Sequence, residues 1–101
     1  MMSSAAVSLV KTDLFRSHHF LLQARAEPGV MPRVLELFAK RGLVPAVWRS
    51  AVCGPDGNRL TIEIHTSGLP DEVAEYMAAC MRQITSVEAV LTSVGAGTEA
   101  G

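Results

Sequence analysis

The chain is short of aromatic residues, of cysteine and of charge of either sign, and each shortage narrows what it can do. Aromatics make up 5% of its 101 residues, too few for the stacking platforms on which unpaired bases are read. Nine Lys and Arg against ten Asp and Glu give a formal charge of -1, with no basic stretch to neutralise a phosphate backbone or an anionic bilayer. Neither nucleic acid nor membrane is an expected partner. No apolar run approaches the roughly 20 residues needed to span a bilayer. The opening segment Met1 to Val10 has no basic residue ahead of its short apolar patch, unlike a secretory signal, so the expected compartment is the cytoplasm. Cys53 and Cys80 suggest no disulfide framework and are read as free thiols. There is no Gly-rich phosphate loop and no CxxC pair, and no cofactor is expected.

Aliphatic residues are abundant. Hydrophobic side chains form 49% of the sequence, enough for one core, and the length suits one domain. Residues 1–17 show no sustained period and read as a flexible extension. Residues 95–101 have almost nothing to bury and read as a disordered tail. The domain is expected over 18–94.

From His18 to Ala26 the pattern alternates, with Phe20, Leu22, Ala24 and Ala26 on one face, which predicts a strand. Pro28 favours an extended Glu27, and Gly29 is expected to take a backbone geometry closed to other residues. Val30, Val34, Leu37, Phe38 and Arg41 then share one side of a helix that stops at Gly42, with Pro32 tolerated in its first turn. Leu43 to Cys53, the turn Gly54 to Asn58, and Arg59 to Thr66 predict a hairpin. Pro45 cannot donate to a ladder, which places the second strand at a sheet edge. Pro70, Asp71 and Glu72 suit the start of a second helix whose apolar stripe is Val73, Tyr76, Met77, Cys80, Met81 and Ile84. Ser86 to Val94 supplies a last strand with apolar residues on both faces.

This order predicts an α+β fold, a ferredoxin-like βαββαβ sandwich with a four-stranded antiparallel sheet and both helices on one face. The first and third strands are placed at the centre, parallel to one another. The other face would carry Leu21, Gln23, Arg25, Thr61, Glu63 and His65.

No catalytic residue stands out. His18, His19 and His65 are the obvious metal-ligating types, but neighbours on a strand point to opposite faces. With parallel central strands, His65 would also lie at the far end from the other two, so no metal site is expected. Cys80 reads as core, and Cys53 has no base assigned to it. Glu27 reads as a solvated carboxylate or one bonded to backbone N–H groups, and Trp48 as either a subunit contact or packing over the helices. The start of the first helix is different. Its first N–H groups lack intrahelical partners and can seat a carboxylate or phosphate. An edge strand free to pair with its twin suggests a homodimer through the second strand and first helix.

Glu27-Pro28-Gly29-Val30-Met31 through Phe38-Ala39-Lys40-Arg41-Gly42-Leu43, with Arg59 to Ile64, resembles the ACT domain over about residues 18 to 94. More narrowly, these residues look like the small regulatory subunits of acetolactate synthase, in their compact, isozyme II type. That resemblance implies a non-catalytic subunit that pairs through its edge strand and activates a thiamine-diphosphate-dependent large subunit in branched-chain amino-acid biosynthesis. It also implies an amino-acid ligand between protomers in many members, held by a turn matching Gly29, Val30 and Met31. Many valine-sensitive members carry Asn where this chain has Ala26 and Val44, so the resemblance points to a valine-insensitive form. The alternative is a free-standing ACT module that binds an amino acid and regulates another enzyme.

Overall fold

The computed structural model describes residues 15–95. In order, these form β1 (Phe15–Arg25), α1 (Val30–Lys40), β2 (Val47–Cys53), β3 (Arg59–Pro70), α2 (Asp71–Arg82) and β4 (Val87–Gly95). The four strands make one sheet in the order β2-β3-β1-β4, and each neighbouring pair is antiparallel. This is the ferredoxin-like sandwich expected from the sequence. Most of the extension and tail expected at 1–17 and 95–101 lies outside the described residues; Phe15 to Ser17 and Gly95 belong to β1 and β4.

One expectation is corrected. β1 and β3 are central but antiparallel. The crossover through α1 makes β1 and β2 parallel, and the tight hairpin from β2 reverses the chain into the gap between them. A strand inserted there must oppose both.

The helices cover one sheet face. Phe20, Leu22 and Ala24 of β1, Leu60, Ile62 and Ile64 of β3, and Val87 and Val90 of β4 are buried against Val30, Val34 and Phe38 of α1 and against α2. Phe20 and Phe38 meet edge to face, with ring centroids 6.3 Å apart. Burial of Val87 and Val90, with Leu91 exposed, orients the strand whose two faces both carried apolar residues.

On α2 the buried stripe is Ala74, Met77, Ala78 and Met81; of the expected stripe Met77 and Met81 are buried and Val73 and Ile84 pack partly buried against the core, while Ala74 and Ala78 were not anticipated. Tyr76 is exposed and lies under the Arg41 guanidinium, 4.6 Å from the ring centroid, while Cys80 is half-buried. Small side chains at 74 and 78 let the helix approach the sheet, and the larger residues flank that contact. β3 also runs past Thr66, where the strand was expected to end, to Pro70. β1 reaches back to Phe15 and gives it a partner, and the register shifts between Arg16 and His18. Gly68, at φ 68°, absorbs the residue left over on β3.

α1 ends as anticipated. Gly42, at φ 68°, donates to Ala39 O (3.0 Å), and Leu43 N donates to Phe38 O (2.9 Å), the paired bonds of a glycine-terminated helix. The two sheet edges differ. β2 is exposed at five of its seven residues, with Val52 63% exposed on the helix side of the sheet. At the other edge the Arg82 guanidinium of α2 donates to Val90 O (3.1 Å).

Candidate functional site

The corner between β1 and α1 is the first candidate. Gly29 precedes the helix with φ -81° and ψ -7°, ordinary right-handed geometry, and a Cβ there would meet nothing within 4 Å. The conformational freedom expected of it is not used. Val30 N donates to Glu27 O (3.1 Å) and Arg33 N to Gly29 O (3.4 Å), while Pro32 has no N–H. Among the described residues, the amides of Gly29 and Met31 have no backbone acceptor. Those two N–H groups are what the helix start offers an anion.

The remaining positions divide. Val30 is buried and takes part only through its backbone, and Met31 and Ala26 are half-buried. Ala26 N is engaged with Asn58 O (2.9 Å). Val44 is 88% exposed and follows the far end of the 11-residue α1, about 16 Å of helix from the turn at 1.5 Å per residue. Within one protomer Val44 does not join the other four.

Glu27 is held by side chains, not by backbone N–H groups. Ser86 Oγ donates to one carboxylate oxygen and Arg25 Nε to the other (3.2 Å). The Ser86 hydrogen bond first, and the Arg25 guanidinium second, keep the carboxyl below its ordinary pKa. It is an ionised tie between the β1 corner and the turn before β4, ill suited to take up a proton at neutral pH.

The second candidate lies on the open sheet face, where sequence reasoning placed nothing. Antiparallel register sets His19 directly opposite His65, and their rings stack with centroids 3.9 Å apart and planes 13° from parallel. His65 Nε2 lies 2.8 Å from Glu63 Oε2, and Arg49 Nη1 lies 3.4 Å from Glu63 Oε1. The four side chains come from β1, β2 and β3. Partial burial, and next the nearby His65, lower the pKa of His19 and favour its neutral ring, while the bond to His65 lowers that of Glu63. A hollow of about 480 Å3 opens beside the rings, lined also by Leu21, Leu91 and Ser93. The sequence signal for this group was alternation itself: His19, Glu63 and His65 occupy one face in any register. Only the mistaken parallel pairing kept them apart.

His18 turns the other way. It is buried, with Nε2 3.0 Å from Asp71 Oδ1 but out of line for a hydrogen bond, and Thr66 Oγ1 donates to its carbonyl (3.2 Å). Cys53 is exposed with its Sγ 3.7 Å from Thr61 Oγ1, and Trp48 is half-buried against the core. Among the described residues no helix is long and apolar enough to cross a membrane.

Comparison with solved structures gives the same architecture at low identity. An uncharacterized protein from Thermotoga maritima superposes with a TM-score of 0.64 at 14% identity, covering 79% of this chain and 96% of that one. The ACT domain from GTP pyrophosphokinase of Chlorobium tepidum gives 0.60 at 9% identity, covering 78% and 99%. The regulatory subunit of aspartate kinase from Thermus thermophilus, in its ligand-free form, gives 0.58 at 20% identity, covering 80% of this chain and 52% of that one. A search of curated proteins found no match. A model of the ACT-like domain matches residues 12–96, from just ahead of β1 to the end of β4, and the chain therefore belongs to the ACT-like domain family.

Proposed function

We propose that this chain is a non-catalytic regulatory subunit that works as a homodimer on acetolactate synthase, raising the activity of the thiamine-diphosphate-dependent large subunit without feedback by valine. ACT-like domains are regulatory modules and not catalysts. The finer assignment rests on the sequence resemblance of residues 27–31 and 38–43, and on one structural observation. β2 and the adjoining helix leave apolar side chains uncovered, with Val52 63%, Leu35 43% and Val44 88% exposed. A second copy pairing along β2 would continue the sheet, set the two α1 helices side by side and cover these residues. Such a dimer also returns Val44 of one protomer to the neighbourhood of the other's helix start. Ala26 and Val44 offer that pocket no side-chain donor or acceptor, which supports insensitivity to valine. By preferring one conformation of the large subunit, the dimer would shift its population towards the active form.

The test is reconstitution. Large subunit assayed with and without this chain is expected to gain activity and cofactor affinity when the chain is present; equal values overturn the assignment. The amides of Gly29 and Met31, without a backbone acceptor among the described residues, favour a second reading, a free-standing module that captures an amino-acid carboxylate. Calorimetry with the isolated chain and a panel of amino acids separates the two, since saturable binding without a large subunit is expected only of the second.

A further inference from the structure

We propose that His19 and His65 form a cross-strand site for a divalent transition-metal ion on the open face of the sheet. The site is separate from the β1–α1 corner, and its test is independent of which enzyme the module regulates. Directly opposed residues on antiparallel strands hold their Cβ atoms about 4.5–5.5 Å apart. A metal ion bonded to two imidazole nitrogens at about 2.0–2.1 Å each fits between side chains so placed. The register His19↔His65 meets that condition, and the rings are already 3.9 Å apart, centroid to centroid. They are stacked face to face, and a metal must lie in the plane of each ring it binds. The broad outer torsion of histidine lets one ring turn towards the hollow at little cost.

His65 is prepared for this role by its neighbours. A metal-binding histidine characteristically gives its other ring N–H to a carboxylate, which fixes the tautomer and makes the free nitrogen a better donor. Here Nε2 of His65 is bonded to Glu63 (2.8 Å), which leaves Nδ1 as the nitrogen available to a metal. Glu63 lies 3.4 Å from the Arg49 guanidinium in an exposed ion pair. Arg49 and Glu63 are also a directly opposed cross-strand charge pair, and the Glu63–His65 bond matches the outer support that metal ligands receive.

The neighbourhood also limits the site. Among the described residues no three His, Cys, Asp or Glu side chains converge as metal ligands, so two imidazoles supply the protein bonds. Water completes the coordination from the hollow of about 480 Å3, and the ion exchanges with solvent. Imidazole donors select Cu2+, Ni2+ and Zn2+ over Mg2+ and Ca2+, which prefer oxygen. Occupancy would clip β1 to β3, the two central strands.

The experiment is titration of the full chain with Zn2+ and Ni2+, in a Cys53→Ser background to remove the exposed thiol, read by calorimetry and by imidazole resonances in NMR. One ion per chain is expected, with shifts at His19 and His65 and none at His18, and with no response to Mg2+. His19→Ala or His65→Ala should weaken binding at least about tenfold, and Glu63→Gln by about 10-fold or more. Both rings border the open hollow, so circular dichroism should be unchanged. Should either alanine variant lose its fold, glutamine at the same position gives the same reading. Unsaturated binding at millimolar ion, affinity indifferent to either histidine, or shifts confined to His18 would each overturn the site.

Discussion

Glu27 joins two segments far apart in sequence through its bonds to Ser86 and Arg25, and its carboxyl titrates below the ordinary value because of them. A carboxyl so lowered binds protons less readily in the native chain than in the unfolded one. Its contribution to stability is therefore present above the unfolded carboxylate pKa and is lost as pH falls through the lower native value. Ser86→Ala removes the largest cause of the shift. Carboxyl NMR across an acid titration should show Glu27 of that variant moving up towards an ordinary glutamate, and no movement would remove Ser86 as the cause. In the core, Phe38 is fully enclosed and edge-on to Phe20. Phe38→Ala should cost about 3–5 kcal/mol in urea denaturation, the usual range for emptying an aromatic site. That Phe38 would be buried was readable from helical spacing. The partners of Glu27 were not, because Ser86 lies 59 positions away and only the docked turn brings it near.

At the scale of elements, the two glycines that flank α1 have opposite requirements. Gly42 sits at φ 68°, where an L side chain is strained, and a Cβ there meets no neighbour, so Gly42→Ala should cost about 1–2 kcal/mol from the backbone alone. Gly29 has φ -81° and equally open surroundings. Gly29→Ala should leave the protein unharmed or stabilise it by about 0.4–1 kcal/mol, by restricting the unfolded chain. Paired thermal melts measure both, and equal losses would contradict the contrast. The sequence marked both helices and the Gly42 cap, since turns and periodicity are local, but not the geometry of Gly29. It erred where tertiary contact decides. Ala74 and Ala78 are buried in place of Tyr76 because close approach to the sheet favours small side chains. β3 passes through Ser67 and Gly68 because β1 extends to meet it.

Strand direction is a property of the whole molecule, and one wrong direction hid a whole group of side chains. With β1 and β3 taken as parallel, His19 and His65 fall at opposite ends; with the observed pairing they touch. The layer order and the core face were legible because burial alternates along the two central strands, β1 and β3. For the assembled state, the proposed dimer makes a definite forecast. Val52→Asp places a charge on the uncovered edge, where 63% exposure in one protomer means the fold does not need the valine. Light scattering after size exclusion should show two copies for the unaltered chain and one for the variant, with unchanged circular dichroism. A monomer in both cases would refute the proposed pairing.

The hydrogen bond from Arg82 to the Val90 carbonyl gives the molecule a handedness of margins. One rim of the sheet remains receptive, while the other has a backbone acceptor already engaged by a bulky cation reaching over it. Growth by strand addition can start on the receptive side, but the opposite side is blunted against further recruitment. Were copies to pair along β2 as proposed, this asymmetry would favour a closed pair over a filament.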